Sequence, residues 1–273
     1  MSRKRRNVRV DDPSRWIFNR MADVYDARPA YPAPLIDTVV ELAAPLGRRV
    51  LDLGAGIGHL ALPLAERGLD VVAIEPAQAM LERLRERVRT SGIGLRAIHA
   101  TAEQLPFDGP NFDLAIIADA MHFLDAELVA AELRRVLVPR GVLAIVSCEP
   151  TMTPFMQSVW ELIHATSDRR TRNVEQAILR LAVRANVRLS ISRRFQDETE
   201  VDLPTLERIL RSVSFVGPAF GAERMATLCA GLRDISHAPA WARTFTLRAG
   251  HKRRDTTYTS PPVSGHTNGH DSC

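Results

Sequence analysis

Along the middle of the chain, short apolar runs alternate with longer stretches in which apolar residues recur every three or four positions. Residues 33–46 place Leu35, Ile36, Val39, Val40, Leu42 and Ala43 at helical spacing, and Gly47 stops the helix. The pattern then predicts strand 49–53 (RVLDL), helix 58–67, strand 69–75 (LDVVAIE), helix 77–88 and strand 94–100 (GLRAIHA). Strand 112–118 (FDLAIIA), helix 126–137 and strand 141–147 (GVLAIVS) follow. Apolar strands separated by helices predict an α/β fold, a doubly wound and mostly parallel sheet with helices on both faces. Ligands of such sheets bind beyond the carboxyl ends of the strands, where Gly54, Glu75, Thr101 and Asp119 are expected.

The stretch VLDLGAGIG, Val50 to Gly58, runs from a strand into a glycine-rich turn and a helix, a loop that brings a ligand against backbone. The dinucleotide fingerprint G-x-G-x-x-G/A needs a small residue where this chain has His59, and Gly58 comes one place early, so a nicotinamide dinucleotide is disfavoured. A phosphate-cradling P-loop needs Gly-Lys-Ser/Thr, and no lysine is near.

At 273 residues and 45% hydrophobic, the chain suffices for one main domain. No apolar run approaches the roughly 18 residues of a membrane span, and the basic start MSRKRRNVRV leads into no apolar signal region; a cytoplasmic protein without membrane partners is expected. Cys148, Cys229 and Cys273 are odd in number and far apart, indicating neither a disulfide framework nor a metal site. The net charge of +4 is concentrated at the ends: the first nine residues carry +5 and the segment from His251 a net +1, which leaves the body at −2. A body of that charge argues against a nucleic-acid partner. Residues 1–12 are read as a flexible basic tail, 13–250 as the folded domain, and 251–273, rich in Ser, Thr, Gly and Pro, as a disordered tail.

Five segments taken together, VLDLGAGIG, VVAIEPAQAML, IHATAEQLPF, NFDLAIIADAMHFL and ELRRVLVPRGVLAIV, resemble in order the motifs of class I S-adenosylmethionine-dependent methyltransferases with a Rossmann-like fold. The block FNRMADVYDARPAYP (18–32) is similar to the segment preceding the fold in the small-molecule, type 11 group, which includes ubiquinone-biosynthesis-like and trans-aconitate-like enzymes. The resemblance implies S-adenosyl-L-methionine as cofactor, which carries no phosphate and so needs close backbone approach without a lysine; Gly54, Ala55 and Gly56 provide it. It places Asp52 toward the cofactor's ammonium and Glu75 on its ribose hydroxyls. Pro76 and Met80 would flank the adenine, and Ala118, ending the fourth strand, and Asp119, following it, would lie beside the cofactor. Thr101 stands where the family commonly has an acid, so adenine recognition falls to Thr101, Ala102, Glu103 or backbone. The PRG turn at 139–141 departs from the commoner Pro-Gly-Gly.

On the acceptor side, methyl transfer from a sulfonium relies on positioning, with a base needed only for weakly acidic acceptors. His122 in DAMHFL is the candidate base and a substrate contact, with Asp119 and His99 as weaker candidates. Residues 13–34 read as an N-terminal helical lid: Trp16, Ile17, Phe18, Met21, Val24 and Tyr25 fall near one helical face, and Pro29, Pro32 and Pro34 end that helix. In the resemblance Tyr25 and Arg28 reach the cofactor and Tyr31 the acceptor. Residues 151–190 read as a helical insertion after the fifth strand, covering the acceptor with Phe155, Trp160 and His164; these residues equally suit packing of the cover onto the sheet. A small-molecule methyltransferase is the leading function. The alternatives are a tRNA or other nucleic-acid methyltransferase and a non-catalytic cofactor-binding protein of the same fold.

Overall fold

The computed structural model describes residues 17–166 and 174–253. Seven strands, β1 (Arg49–Leu53), β2 (Asp70–Ile74), β3 (Arg96–Ile98), β4 (Phe112–Ala118), β5 (Leu137–Pro150), β6 (Val187–Glu200) and β7 (Ala240–Lys252), form one sheet in the order β3-β2-β1-β4-β5-β7-β6. The first five are parallel and β7 is antiparallel to both its neighbours. The order reverses between β1 and β4, which opens a crevice at their carboxyl ends.

Period-two alternation divides the sheet's apolar residues between two faces. Val50, Leu114, Ile116, Val142 and Ala144 pack under α1 (Ala33–Ala43), α2 (Ala61–Glu66) and α3 (Gln78–Ser91). Leu51, Leu53, Ala115, Ile117, Leu143 and Ile145 pack under α4 (Ala126–Val136) and α6 (Glu175–Arg184). A third apolar cluster joins α5 (Pro154–Thr166), α7 (Leu203–Arg211) and α8 (Ala222–Arg233) into a helical cap with its own core.

Several boundaries move for local reasons. The chain turns through Gly58 to Leu60 before α2 begins at Ala61. Helix α3 runs past the expected residue 88 until Gly92, in the left-handed region at φ 69°, caps it by donating to Val88 O at 3.1 Å. Strand β5 extends to Pro150 because β7 supplies an antiparallel partner along Val142–Pro150. In the PRG turn, Arg140 adopts φ 67°, a backbone region that suits glycine better.

Two expectations need correction. The 13–34 segment is not one amphipathic helix: its described part forms two short 3-10 turns, Ile17–Arg20 and Tyr25–Ala27, with Met21 and Ala22 buried against Ile57, Ala77 and Met80. Asn19 Oδ1 accepts from Ala79 N at 2.9 Å and Asp23 pairs with Arg83 at 2.6 Å, so contacts to α3 replace a continuous helical ladder. The 151–190 insertion also divides: α5 enters the cap, α6 lies on α4 against the sheet, and β6 begins at Val187.

The C-terminal boundary lies beyond 250. Lys252 is buried and its Nζ donates to Arg134 O (2.6 Å) and Leu137 O (3.0 Å), closing the end of α4, while Arg253 N donates to Asn186 O at 2.8 Å. Residues 1–16 and 254–273, which include most of both expected tails, lie outside the described residues. A chain ending at Arg253 is expected to keep its full denaturation midpoint, whereas one ending at Gly250 loses about 1.5–3 kcal/mol, the range for hydrogen bonds to a charged group. Urea unfolding of the two truncations checks this, and equal midpoints would remove Lys252 from the fold's support.

Candidate functional site

Beyond β1 the chain turns through Gly54, Gly56 and Gly58, all at left-handed φ (76°, 56° and 83°). A Cβ at Gly54 would stand 2.9 Å from Ala120 Cβ, and one at Gly58 would stand 2.5 Å from Leu84 Cδ1 of α3. Gly58 thus permits the close helix approach that the dinucleotide fingerprint assigns to a later residue. Gly54 N and Ala55 N both donate to Ile74 O at the end of β2, at 2.9 and 3.1 Å.

The next residue after β2, Glu75, is buried and clamps this loop: Oε2 accepts from Gly56 N and Oε1 from Ala77 N, each at 2.8 Å. Burial outweighs those two bonds and pushes its carboxyl up to about 7. Asp52 on β1 is also buried, and burial followed by the Glu75 charge raises it to about 7. Its Oδ2 has no partner. Thr101, just past β3, is buried with an unpartnered Oγ1. Ala102 packs in the core, and Glu103 is occupied, with Oε1 accepting from Asp125 N at 3.0 Å. Of the residues considered for the far end of the ligand, Thr101 keeps a free polar atom. His99 Nε2 lies 3.0 Å from Pro76 O, a structural contact that links β3 to the start of α3.

The N-terminal segment folds across this crevice. Tyr25 lies over the glycine loop, its Cε1 3.7 Å from the place a Cβ of Gly56 would take. The Arg28 guanidinium stacks 4.4 Å over the Tyr25 ring and its Nη1 is 3.8 Å from Asp119 Oδ2. Asp119 follows β4 with φ 52°, a strained position tolerable for Asp, and donates its N–H to Val146 O at 2.9 Å. Burial raises its carboxyl to about 6 against the opposing pull of Arg28. Tyr31 packs on Phe245, ring centroids 5.3 Å apart, and burial holds its phenol well above the ordinary value. Tyr25, Arg28, Tyr31, Asp52, Glu75 and Asp119 therefore form one electrostatically linked group. Met80 is buried among Met21, Ala22, Ile57 and Ala77 rather than open to a ligand.

This crevice belongs to a region with clear relatives. Residues 50–141 match the family described as methyltransferase domain. That stretch is similar to methyltransferase domains. An uncharacterized methyltransferase of Mycobacterium tuberculosis is 44% identical over 130 residues, 47% of this chain and 51% of that protein. Demethylmenaquinone methyltransferase of Thermus thermophilus is 38% identical over 118 residues, 42% of this chain and 52% of that one. The chain thus spans about half the length of the curated relatives it matches. Among solved structures, the YcgJ protein from Bacillus subtilis aligns with a TM-score of 0.56 at 20% identity, covering 80% of this chain and 97% of that one. That likeness speaks for the class I methyltransferase fold alone.

The acceptor candidates fall in different places around the matched region. His122, in a 3-10 turn Met121–Phe123, is half-buried beside Phe123 at 3.9 Å between ring centroids. Phe155 is buried in the cap core, which agrees with the packing role. Trp160 stacks on Phe215 at 5.7 Å with its indole N–H buried and unpartnered, while His164 is exposed on α5. Sequence reasoning missed His59, Cys148, Ser212 and Arg243. His59 lies 5.8 Å from Tyr25 between ring centroids, and burial together with Arg87 lowers it to about 3, leaving a neutral imidazole. Burial and Asp119 raise the Cys148 thiol to about 12. Arg243 is buried in β7, pairs with Asp197, and donates from Nη1 to Pro29 O (3.0 Å) and from Nη2 to Ala30 O (2.8 Å). Two guanidiniums, Arg28 and Arg243, thus fix the N-terminal segment, and nothing in the sequence marked Arg243 apart from the other arginines. Among the described residues no group of three or more His, Cys, Asp or Glu is placed to hold a metal, and no helix is long and apolar enough to cross a membrane.

Proposed function

We propose that this chain transfers a methyl group from S-adenosylmethionine to a small-molecule acceptor. The observation that carries the reading is the set of unmet acceptors at the carboxyl ends of the strands: Asp52 Oδ2 and Thr101 Oγ1 are buried without partners, beside a glycine loop and the clamped carboxylate of Glu75. Buried polar atoms left unpaired are costly, and a ligand bearing an ammonium, ribose hydroxyls and an exocyclic amine would relieve them. The cofactor would supply an activated methyl on a sulfonium. Asp52 would attract its ammonium, Glu75 accept from its ribose, Thr101 meet its base, and Arg28 with Tyr25 meet its carboxylate.

The chain's own residues then serve by positioning. The N-terminal segment excludes water from the crevice, and His122, one turn beyond β4, is the group suited to accept a proton from a weakly acidic acceptor. The body's formal charge and the relative named for a demethylmenaquinone acceptor both support a small molecule over nucleic acid. Calorimetric titration with S-adenosylmethionine, then incubation of methyl-labelled cofactor with carboxylic, phenolic, amine and polyketide-type acceptors, tests the reading. Cofactor binding without transfer to any acceptor, alongside salt-dependent RNA binding, would favour the nucleic-acid alternative. Absence of cofactor binding would end the methyltransferase reading.

A further inference from the structure

We infer that Ser212, at the end of cap helix α7, is a positioning residue that sets which edge of the Arg28 guanidinium faces the crevice, and so couples the cap to the cofactor's amino-acid end. Ser212 is fully buried. Its Oγ accepts from Arg28 Nε at 2.8 Å and its carbonyl accepts from Arg28 Nη2 at 2.7 Å. The hydroxyl proton is committed to Ile209 O at 2.6 Å, so Oγ is held in the role of acceptor. The same carbonyl sits at the carboxyl end of α7, where the helix dipole favours a cation.

A guanidinium offers five N–H groups on a planar fork. Ser212 takes the Nε and Nη2 edge, which leaves Nη1 as the edge turned to Tyr25 OH (3.2 Å) and Asp119 (3.8 Å). Without the Oγ acceptor the fork keeps only the Nη2 bond to the carbonyl and can pivot about it, so the edge offered to a carboxylate is no longer fixed. Arg208 on the same helix pairs with Asp26 at 2.8 Å, but both side chains are half-exposed and such a pair contributes little. The part-buried Arg28–Ser212 contact, with two hydrogen bonds, is therefore the stronger tie between cap and N-terminal segment. It spans 184 positions of sequence.

This inference rests on the cofactor reading, and its test separates the two. S-adenosylmethionine is compared with methylthioadenosine, which shares the nucleoside but lacks the amino-acid end. Ser212→Ala is expected to weaken S-adenosylmethionine binding about tenfold or more, the effect of one hydrogen bond to a charged group, and to leave methylthioadenosine within about twofold. In an Arg28→Ala background the further change Ser212→Ala is expected to alter neither affinity, because the group it positions is gone. Should Ser212→Ala lack a thermal transition, Ser212→Cys, with similar volume and a weak acceptor, carries the same comparison. Equal weakening for both ligands, no weakening, or additive loss in the double variant would overturn the role of Ser212 while leaving cofactor binding intact. Failure of the wild-type chain to bind either ligand would overturn the cofactor reading and this inference with it.

Discussion

Glu75→Ala is expected to weaken S-adenosylmethionine binding by about 1.5–3 kcal/mol, the range for hydrogen bonds to a charged group, and to lower stability at the same time. The second effect follows from the clamp: Glu75 accepts from Gly56 N and Ala77 N, and alanine leaves both donors without their partner. Each buried donor left unmet costs about 1–3 kcal/mol. Glutamine is no neutral substitute, since its single carbonyl oxygen serves one of the two donors and its amide turns a donor toward the other. Glu75→Gln is accordingly expected to fall between wild type and alanine in both thermal stability and affinity. Calorimetry on folded protein separates the effects. A folded Glu75→Ala chain that binds with wild-type affinity would remove Glu75 from the cofactor site and leave it a loop clamp only.

The crevice was legible in the sequence where local rules govern. A strand of apolar residues ending in three glycines has few backbone solutions, and Gly54, Gly56 and Gly58 all occupy the φ range that favours glycine. The carboxyl end of each parallel strand is a fixed place in such a sheet, so Gly54, Glu75, Thr101 and Asp119 were expected there from topology, while Asp52 came only from the family resemblance. What failed to show were partners far apart in the chain. The N-terminal segment has the apolar spacing of a helix, yet Asn19 capping Ala79 and Met21 burying against Met80 hold it as 3-10 turns, and that competition is decided by tertiary contact. Cap helices α7 and α8 were not marked out in the sequence, because the core they share with α5 forms only in the fold. Arg243 resembles any strand arginine until Asp197 and the carbonyls of Pro29 and Ala30 are in place. Burial of charge, the property that marks the site, has no local signature in an arginine-rich chain.

Cofactor affinity is expected to rise steeply with pH up to about 7 and then level off. Burial lifts Asp52 and Glu75 to about 7, above their ordinary carboxylate values, so the ligand-free fold holds protons there that the unfolded chain has released. The sign for stability follows: the contribution of these two groups is fully present below the ordinary carboxylate range and is lost as pH rises through about 7, so the ligand-free protein becomes less stable across that interval. Binding runs the other way. An ammonium beside Asp52 favours the carboxylate over the acid, and ribose hydroxyls donate better to an ionised Glu75. Below about pH 7 binding therefore releases protons, and affinity gains up to about tenfold per pH unit for each proton released. Titrations at about pH 5.5 and pH 7.5, each in two buffers of different ionisation enthalpy, measure both the gain and the proton count. Asp52→Asn is expected to lower affinity at pH 7.5 and to remove one released proton at pH 5.5, which distinguishes its share from that of Glu75. An affinity independent of pH, with no buffer dependence of the heat, would mean that neither carboxylate changes its charge on binding and that the ammonium assignment to Asp52 is wrong.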